Sequence, residues 1–418
     1  MKRIRNHQLL ISLLIFYIIH SYTVIFCISA DSVICKLKSL QYLDLSNNYF
    51  HGPIPLCLGN LSSLVMLNLQ KNNFSGEIPQ TFNGGSLRTL DLSYNKLQGR
   101  FPISFSTCKD LEVLNVGHNS IADVFPQWLE FLPKLIVLVL RNNKFYGPIP
   151  PSTNASSFSE LHIIDLSQNN FTGTLPSKNF ENWHSMGKPE NNLSYSTGSP
   201  YYSDSMIIIN KGVEMELKRI LIVFKAVDFS QNNFHGEIPM SIGRFRALRV
   251  LNLSRNALTG VIPPSLADLR DLESLDLSHN QLSGKIPNEL TRLTFLGALD
   301  LSFNKLTGKI PKGGQFETFP NAFIGNPGLV TSPPGKNEKP TPSSKSRLSS
   351  LKFRVFKANG YGWEDVLVGY GCGLVLGLVG GCYLIWMKEE HIWTAFNIKG
   401  HAQRKSRKAK THPYGKQK

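Results

Sequence analysis

The sequence predicts an α/β-type repeat solenoid, curved, with short parallel strands on its concave face, followed by a single transmembrane helix. Three observations predict it. An asparagine-centred frame recurs ten times between residues 48 and 304, an uncharged apolar run of 22 residues spans 366–387, and a basic and then apolar segment fills 1–30. Of 418 residues, 41% are hydrophobic and 18% charged, which excludes global disorder. The net charge of +16 suggests nucleic acid, but its distribution does not. Lys plus Arg number 3, 26, 7 and 9 in residues 1–30, 31–335, 336–365 and 388–418, against 0, 24, 3 and 2 acids. The body is nearly neutral, whereas a nucleic-acid surface needs its excess on the fold that meets phosphate.

Residues 1–30 open with Lys2, Arg3 and Arg5, run apolar from Leu9 to Ile28, and close on Ser29 and Ala30. This is the order of a secretory signal peptide; an uncleaved anchor is the alternative. Two blocks of repeats follow, six in 31–176 and four in 223–311. Their asparagines are Asn48, Asn72, Asn95, Asn119, Asn143, Asn169, Asn232, Asn256, Asn280 and Asn304, at intervals of 24, 23, 24, 24, 26, 63, 24, 24 and 24. The fullest copy reads Leu272, Leu275, Leu277, Asn280, Leu282, Gly284, Ile286, Pro287. In each L-x-L the leucines point one way and the residues between them the other, as a strand requires. One such unit cannot bury its leucines alone, so neighbours stack into a continuous core. The asparagine amide is expected to satisfy backbone groups of adjacent coils, and glycine and proline to turn the chain.

The 63-residue interval holds an island, 177–222, expected to leave the stack as a loop. Its first part, Glu190 to Asp204, is rich in Ser, Asn, Tyr and Gly; Met206 to Ile209 and Val213 to Leu217 read as short strands. Residues 312–335 read as a carboxy-terminal cap, 336–365 as a Ser/Pro-rich linker, 366–387 as the transmembrane helix, and 388–418 as a basic cytoplasmic tail. Within the span Gly369, Gly373, Gly377 and Gly381 fall on one helix face, a surface for close contact with another transmembrane helix.

The repeat resembles the plant-specific class of leucine-rich repeats, and the chain resembles plant receptor-like proteins over most of 31–387. Three segments carry the resemblance: Cys108 to Leu114 continuing through Phe125-Pro126-Gln127-Trp128-Leu129; the island with Lys211-Gly212-Val213-Glu214; and Gly314-Gln315-Phe316-Glu317-Thr318-Phe319 with Phe323-Ile324-Gly325-Asn326. The four repeats after the island also match that layout. The sequence departs from it in having only six repeats before the island, which reads as an amino-terminally shortened copy, and in Val330 where the family has a cysteine. The resemblance implies a single-pass type I plasma-membrane protein that binds an extracellular protein, peptide or oligosaccharide. It further implies signalling through a kinase-bearing adaptor and a co-receptor in the same membrane, in plant defence. The alternatives are an extracellular inhibitor of pathogen wall-degrading enzymes, developmental peptide perception, or an inactive or decoy copy.

Candidate site residues follow from the same reading. Six N-x-S/T acceptors, at Asn60, Asn73, Asn154, Asn170, Asn192 and Asn252, fit a glycosylated ectodomain. Asn252, between Leu251 and Leu253, is expected to face outward, where a glycan would obstruct the concave face. Cys35 and Cys57, one coil apart, are a candidate disulfide or two small buried hydrophobes. Arg249, Ser254 and Arg255 are candidates for the ligand face. Asp44, Asp91, Asp165, Asp228, Asp276 and Asp300 share one repeat position and read as a solvated strand face. No nucleophile, metal or phosphate-loop motif is found, so the expectation is no enzyme, no cofactor, no metal and no nucleic acid.

Overall fold

The computed structural model describes residues 33–82, 85–152, 156–189, 206–210, 213–217, 219–221 and 223–330. All lie in the first of two compact units, which ends at Gly335. The segments read as signal peptide, linker, transmembrane helix and basic tail lie outside the described residues, as do Asn154, Asn192 and the four span glycines. Among the described residues no helix is long and apolar enough to cross a membrane.

Ten three-residue strands form one parallel sheet in chain order: Tyr42–Asp44, Met66–Asn68, Thr89–Asp91, Val113–Asn115, Val137–Val139, Ile163–Asp165, Ala226–Asp228, Val250–Asn252, Ser274–Asp276 and Ala298–Asp300. Register repeats from coil to coil, Leu43 against Leu67, Leu67 against Leu90, Leu90 against Leu114. Parallel strands need a long crossover, and here each full coil supplies it. The central residue of each strand points into one continuous core; Leu67, Leu90, Leu114, Leu138 and Leu251 have no exposed surface. On the opposite side the proline of four I-P pairs directly precedes a short 3-10 helix: Pro55 before Leu56–Asn60, Pro239 before Met240–Arg244, Pro263 before Pro264–Asp268 and Pro287 before Asn288–Arg292. Proline holds φ near the value such a turn needs and has no N–H to leave unpaired.

A second set of strands, absent from the sequence reading, runs through the G-x-I-P segments. His51–Gly52, Asn73–Glu77, Lys96–Gly99 and Ser120–Ile121 form one such sheet. These segments are two to five residues long and carry no apolar alternation, so periodicity could not mark them. Their glycines are required by geometry. Gly284 sits at φ +75°, and a Cβ there would come within 2.9 Å of the Val261 Cγ1.

The repeat asparagines bind the coils together. The Asn119 Nδ2 donates to Val116 O and Gly117 O of its own turn and to Leu92 O of the preceding coil, while its Oδ1 accepts the Leu97 N–H. Asn72, Asn95, Asn143, Asn169, Asn256, Asn280 and Asn304 repeat this pattern. Asn48, in the first coil, reaches only Leu45 O and Ser46 O of its own turn. An eleventh member, Asn326, donates to Leu301 O and accepts from Leu306 N–H. The sequence reading placed Asn326 in the cap rather than in the ladder, because no L-x-L precedes it. The strand Gly328–Val330 then pairs with Lys305–Lys309, and Phe316 and Ala322 complete the core at that end. At the other end Cys35, in the 3-10 turn Val33–Lys36, is disulfide-bonded to Cys57, with Cα atoms 5.6 Å apart.

The island changes less of the stack than its length suggests. Ile163–Asp165 pairs directly with Ala226–Asp228, Asn232 reaches Leu166 O, and Phe171 stacks on Phe234 at 6.2 Å. Residues 177–189, expected outside the stack, instead supply the helical turns Ser177–Asn182 and His184–Gly187. Phe180, Trp183 and Met186 from these turns are buried in the core. The reason is hydrophobic: three large apolar side chains at helical spacing fill the place that a 3-10 helix fills in other coils. Met206–Asn210 and Val213–Leu217 pair with each other as an antiparallel hairpin. Lys225, buried, donates through its Nζ to Ser185 O and Lys188 O, tying the start of the excursion to its end.

Candidate ligand-binding face

The strand sheet presents its non-core residues in rows, one row per strand position. The first row runs Tyr42, Met66, Thr89, Val113, Val137, Ile163, Ala226, Val250, Ser274, Ala298. Its centre is apolar. Val113, Val137, Val139, Ile163, Ala226 and Val250 make a second hydrophobic cluster on the strand face, and Ile220, Leu217 and Phe224 from the island's return pack against it. The middle of this face is therefore covered by the chain's own Leu217, Ile220 and Phe224. The sequence carried a signal for this: Ile136-Val137-Leu138-Val139-Leu140 is an unbroken apolar run where other repeats alternate, as a strand buried on both faces requires.

The next row holds the recurrent aspartates, and only its first member is the solvated face expected: Asp44 is exposed, while Asp276 and Asp300 are half-buried. Asp91, Asp165 and Asp228 are buried. Each accepts the N–H of the residue two positions on, Ser93, Ser167 and Ser230, at 2.9 Å, and so caps the turn that ends its strand. Val139 breaks the row, and Arg141 replaces the usual serine; its guanidinium lies 3.6 Å from Asp165 across the coil boundary, with both side chains buried. Burial raises the Asp165 carboxyl above its usual range against the pull of Arg141. Burial first, and then the neighbouring Asp165 charge, pushes Asp228 up to about 7. Burial likewise raises Asp276.

The other predicted residues do not converge on one free surface. Arg249 is ion-paired with Glu273 at 2.5 Å and donates through Nε to Val223 O. Ser254 is buried, its hydroxyl donating to Asn252 Oδ1, and only Arg255 is exposed. Asn252 lies on the non-core row, as expected, but is not free there as an acceptor for sugar. It is buried, with its amide donating to Asp228 Oδ2 and its oxygen capping Ser254. Asn60, Asn73 and Asn170 are exposed. Beside the face, one residue per coil adopts positive φ before the ladder asparagine. This row stacks across coils as Tyr94 on His118 at 4.0 Å and His279 on Phe303 at 4.4 Å. No cluster of three or more His, Cys, Asp or Glu that could hold a metal occurs among the described residues.

Comparison with known proteins places this architecture. Family models described as leucine rich repeat match residues 39–61, 63–84, 85–145, 160–181 and 246–306. Receptor-like protein 53 of Arabidopsis thaliana is 45% identical over 229 residues, 53% of this chain and 23% of that protein. Receptor-like protein 34 is 53% identical over 135 residues, covering 31% and 14%. The chain is similar to the plant leucine-rich-repeat receptor-like proteins. This receptor-like chain spans less than a quarter of the length of those two relatives. Among solved structures, the ectodomain of the Arabidopsis thaliana membrane receptor kinase GASSHO1/SCHENGEN3, in complex with CASPARIAN STRIP INTEGRITY FACTOR 2, is 30% identical. Its TM-score is 0.54, over 71% of the receptor-like chain and 34% of that one. The PEPR1-AtPEP1 structure is 29% identical with a TM-score of 0.55, over 72% and 40%.

Proposed function

We propose that this receptor-like chain is a plasma-membrane, single-pass receptor that binds an extracellular ligand on its strand face and signals, in plant defence, through partner receptor kinases. The observation that carries the reading is the strand face itself: ten in-register strands offer a rigid, row-ordered surface whose apolar centre is covered by the island's return. Loops held on rigid scaffolds are where binding concentrates. The fold likeness to ectodomains crystallised with CASPARIAN STRIP INTEGRITY FACTOR 2 and AtPEP1 supports a peptide as the ligand. Signalling through a partner kinase needs a point of contact, and the span glycines offer it a docking helix face.

The test is co-precipitation of the full chain from plant membranes, with partners identified. Gly373→Leu/Gly377→Leu keeps the span apolar and blocks close backbone approach, so kinase recovery falls at equal surface level. Leu376→Ile/Leu378→Ile leaves recovery unchanged. Equal kinase recovery from the glycine variant rejects docking through the span.

A further inference from the structure

Arginines of the repeat body fall into two groups. Arg88, Arg141 and Arg249 each lie beside a carboxylate on the strand side, at 3.8, 3.6 and 2.5 Å. Arg244, Arg246, Arg270 and Arg292 lie on the helical side of three successive coils. All four are exposed, and none has a side-chain hydrogen bond or ion pair among the described residues. Arg246 and Arg270 occupy the same repeat position 24 residues apart. Between Arg270 and Arg292 is a cavity of about 340 Å³, lined also by Ala267, Asp268, Thr294 and Phe295. Phe295 is 65% exposed, an apolar ring left in water beside two unpaired guanidiniums.

We propose that this cavity binds an acidic sugar, a uronate unit of a polyuronate chain that crosses the coils. A guanidinium is a planar fork of donors that matches a carboxylate with two parallel hydrogen bonds. The Phe295 ring offers an apolar face to the C–H side of a pyranose. The Thr294 hydroxyl and the Asp268 carboxylate can accept hydrogen bonds from sugar hydroxyls, and the Asp268 charge disfavours a dianion such as a phosphomonoester. Arg244 and Arg246, one coil away, provide for further carboxylates of the same chain. A repeating acid suits a repeating scaffold. The site is on the side opposite the strand face and does not rest on the receptor reading above.

The test titrates the full chain in detergent micelles, at fixed ionic strength, with oligogalacturonate, its fully methyl-esterified form, and dextran sulfate. Wild type binds oligogalacturonate, and esterification weakens binding by about tenfold or more, because each charged hydrogen bond lost is worth roughly that factor. Arg270→Gln/Arg292→Gln weakens it at least as much, and Arg270→Lys/Arg292→Lys restores only part, since lysine keeps the charge without the fork. Phe295→Ala weakens oligogalacturonate several-fold and leaves dextran sulfate unchanged. Arg100→Gln/Lys144→Gln, removing the same charge elsewhere, leaves binding intact. The proposal is overturned by no binding, by equal binding of the esterified form, by equal loss in the control variant, or by indifference to Phe295→Ala.

Discussion

Asn119 makes four hydrogen bonds with one side chain, two of them to the preceding coil. Removing it orphans the Leu97 N–H at the coil boundary and leaves Leu92 O with only the Asn95 amide of its own turn. Asn119→Ala is expected to cost about 2–3 kcal/mol in chemical denaturation, and Asn48→Ala, which serves only its own turn, about 1 kcal/mol. Equal costs would mean the ladder does not link coils. Asp228 sets a pH dependence. Its folded pKa of about 7 lies above the ordinary 3.8, so the native state holds its proton more tightly than the unfolded chain does. Stability from this group is full below about pH 4 and is lost as pH rises through about 7. Melting temperature should therefore drop between pH 5 and pH 8, and Asp228→Asn should flatten that drop; a slope unchanged in the variant contradicts the account. The ladder asparagines were legible because spacing alone marks them. The burial of the aspartates was not, because alternation tells which way a side chain points and not what lies over it. Val139 and Arg141, one apolar and one basic where Asp or Asn and Ser recur, were the only local hints.

At the scale of elements, the island was legible as a gap in the repeat but not in its boundary. Phe180, Trp183 and Met186 are spaced as a buried helical face, yet a gap in the asparagine frame drew the edge at Ser177. Its return was readable as strand, but what it covers depends on Val137, Ile163 and Val250 from three different coils, which no local window joins. Ile220, 2% exposed, packs on that cluster. Ile220→Ala is expected to lower stability by about 2 kcal/mol, measured by denaturant midpoint, with the far-UV spectrum unchanged. Exposed Ile103→Ala, on the opposite side, should stay within about 0.5 kcal/mol. A neutral Ile220→Ala would show that the return segment does not dock on the strand face.

Over the whole repeat body, the architecture followed from one frame because each coil meets only its neighbours. The sequence therefore conveyed the stack, while the ends and the interruption, where neighbours are missing or displaced, needed the structure. Asn326 shows this at the carboxy-terminal end, where a coil without an L-x-L still closes the ladder. The central claim is that the stack runs unbroken past the island. Amide hydrogen exchange of the full chain, resolved to single residues, tests it at one junction. The Leu166 and Gln168 N–H groups donate to Asp228 O and Ser230 O across the island, as Leu140 and Asn142 donate to Asp165 O and Ser167 O one coil earlier. The account predicts that Leu166 and Gln168 exchange as slowly as Leu140 and Asn142. Fast exchange at Leu166 and Gln168, with protection retained at Leu140 and Asn142, would contradict it.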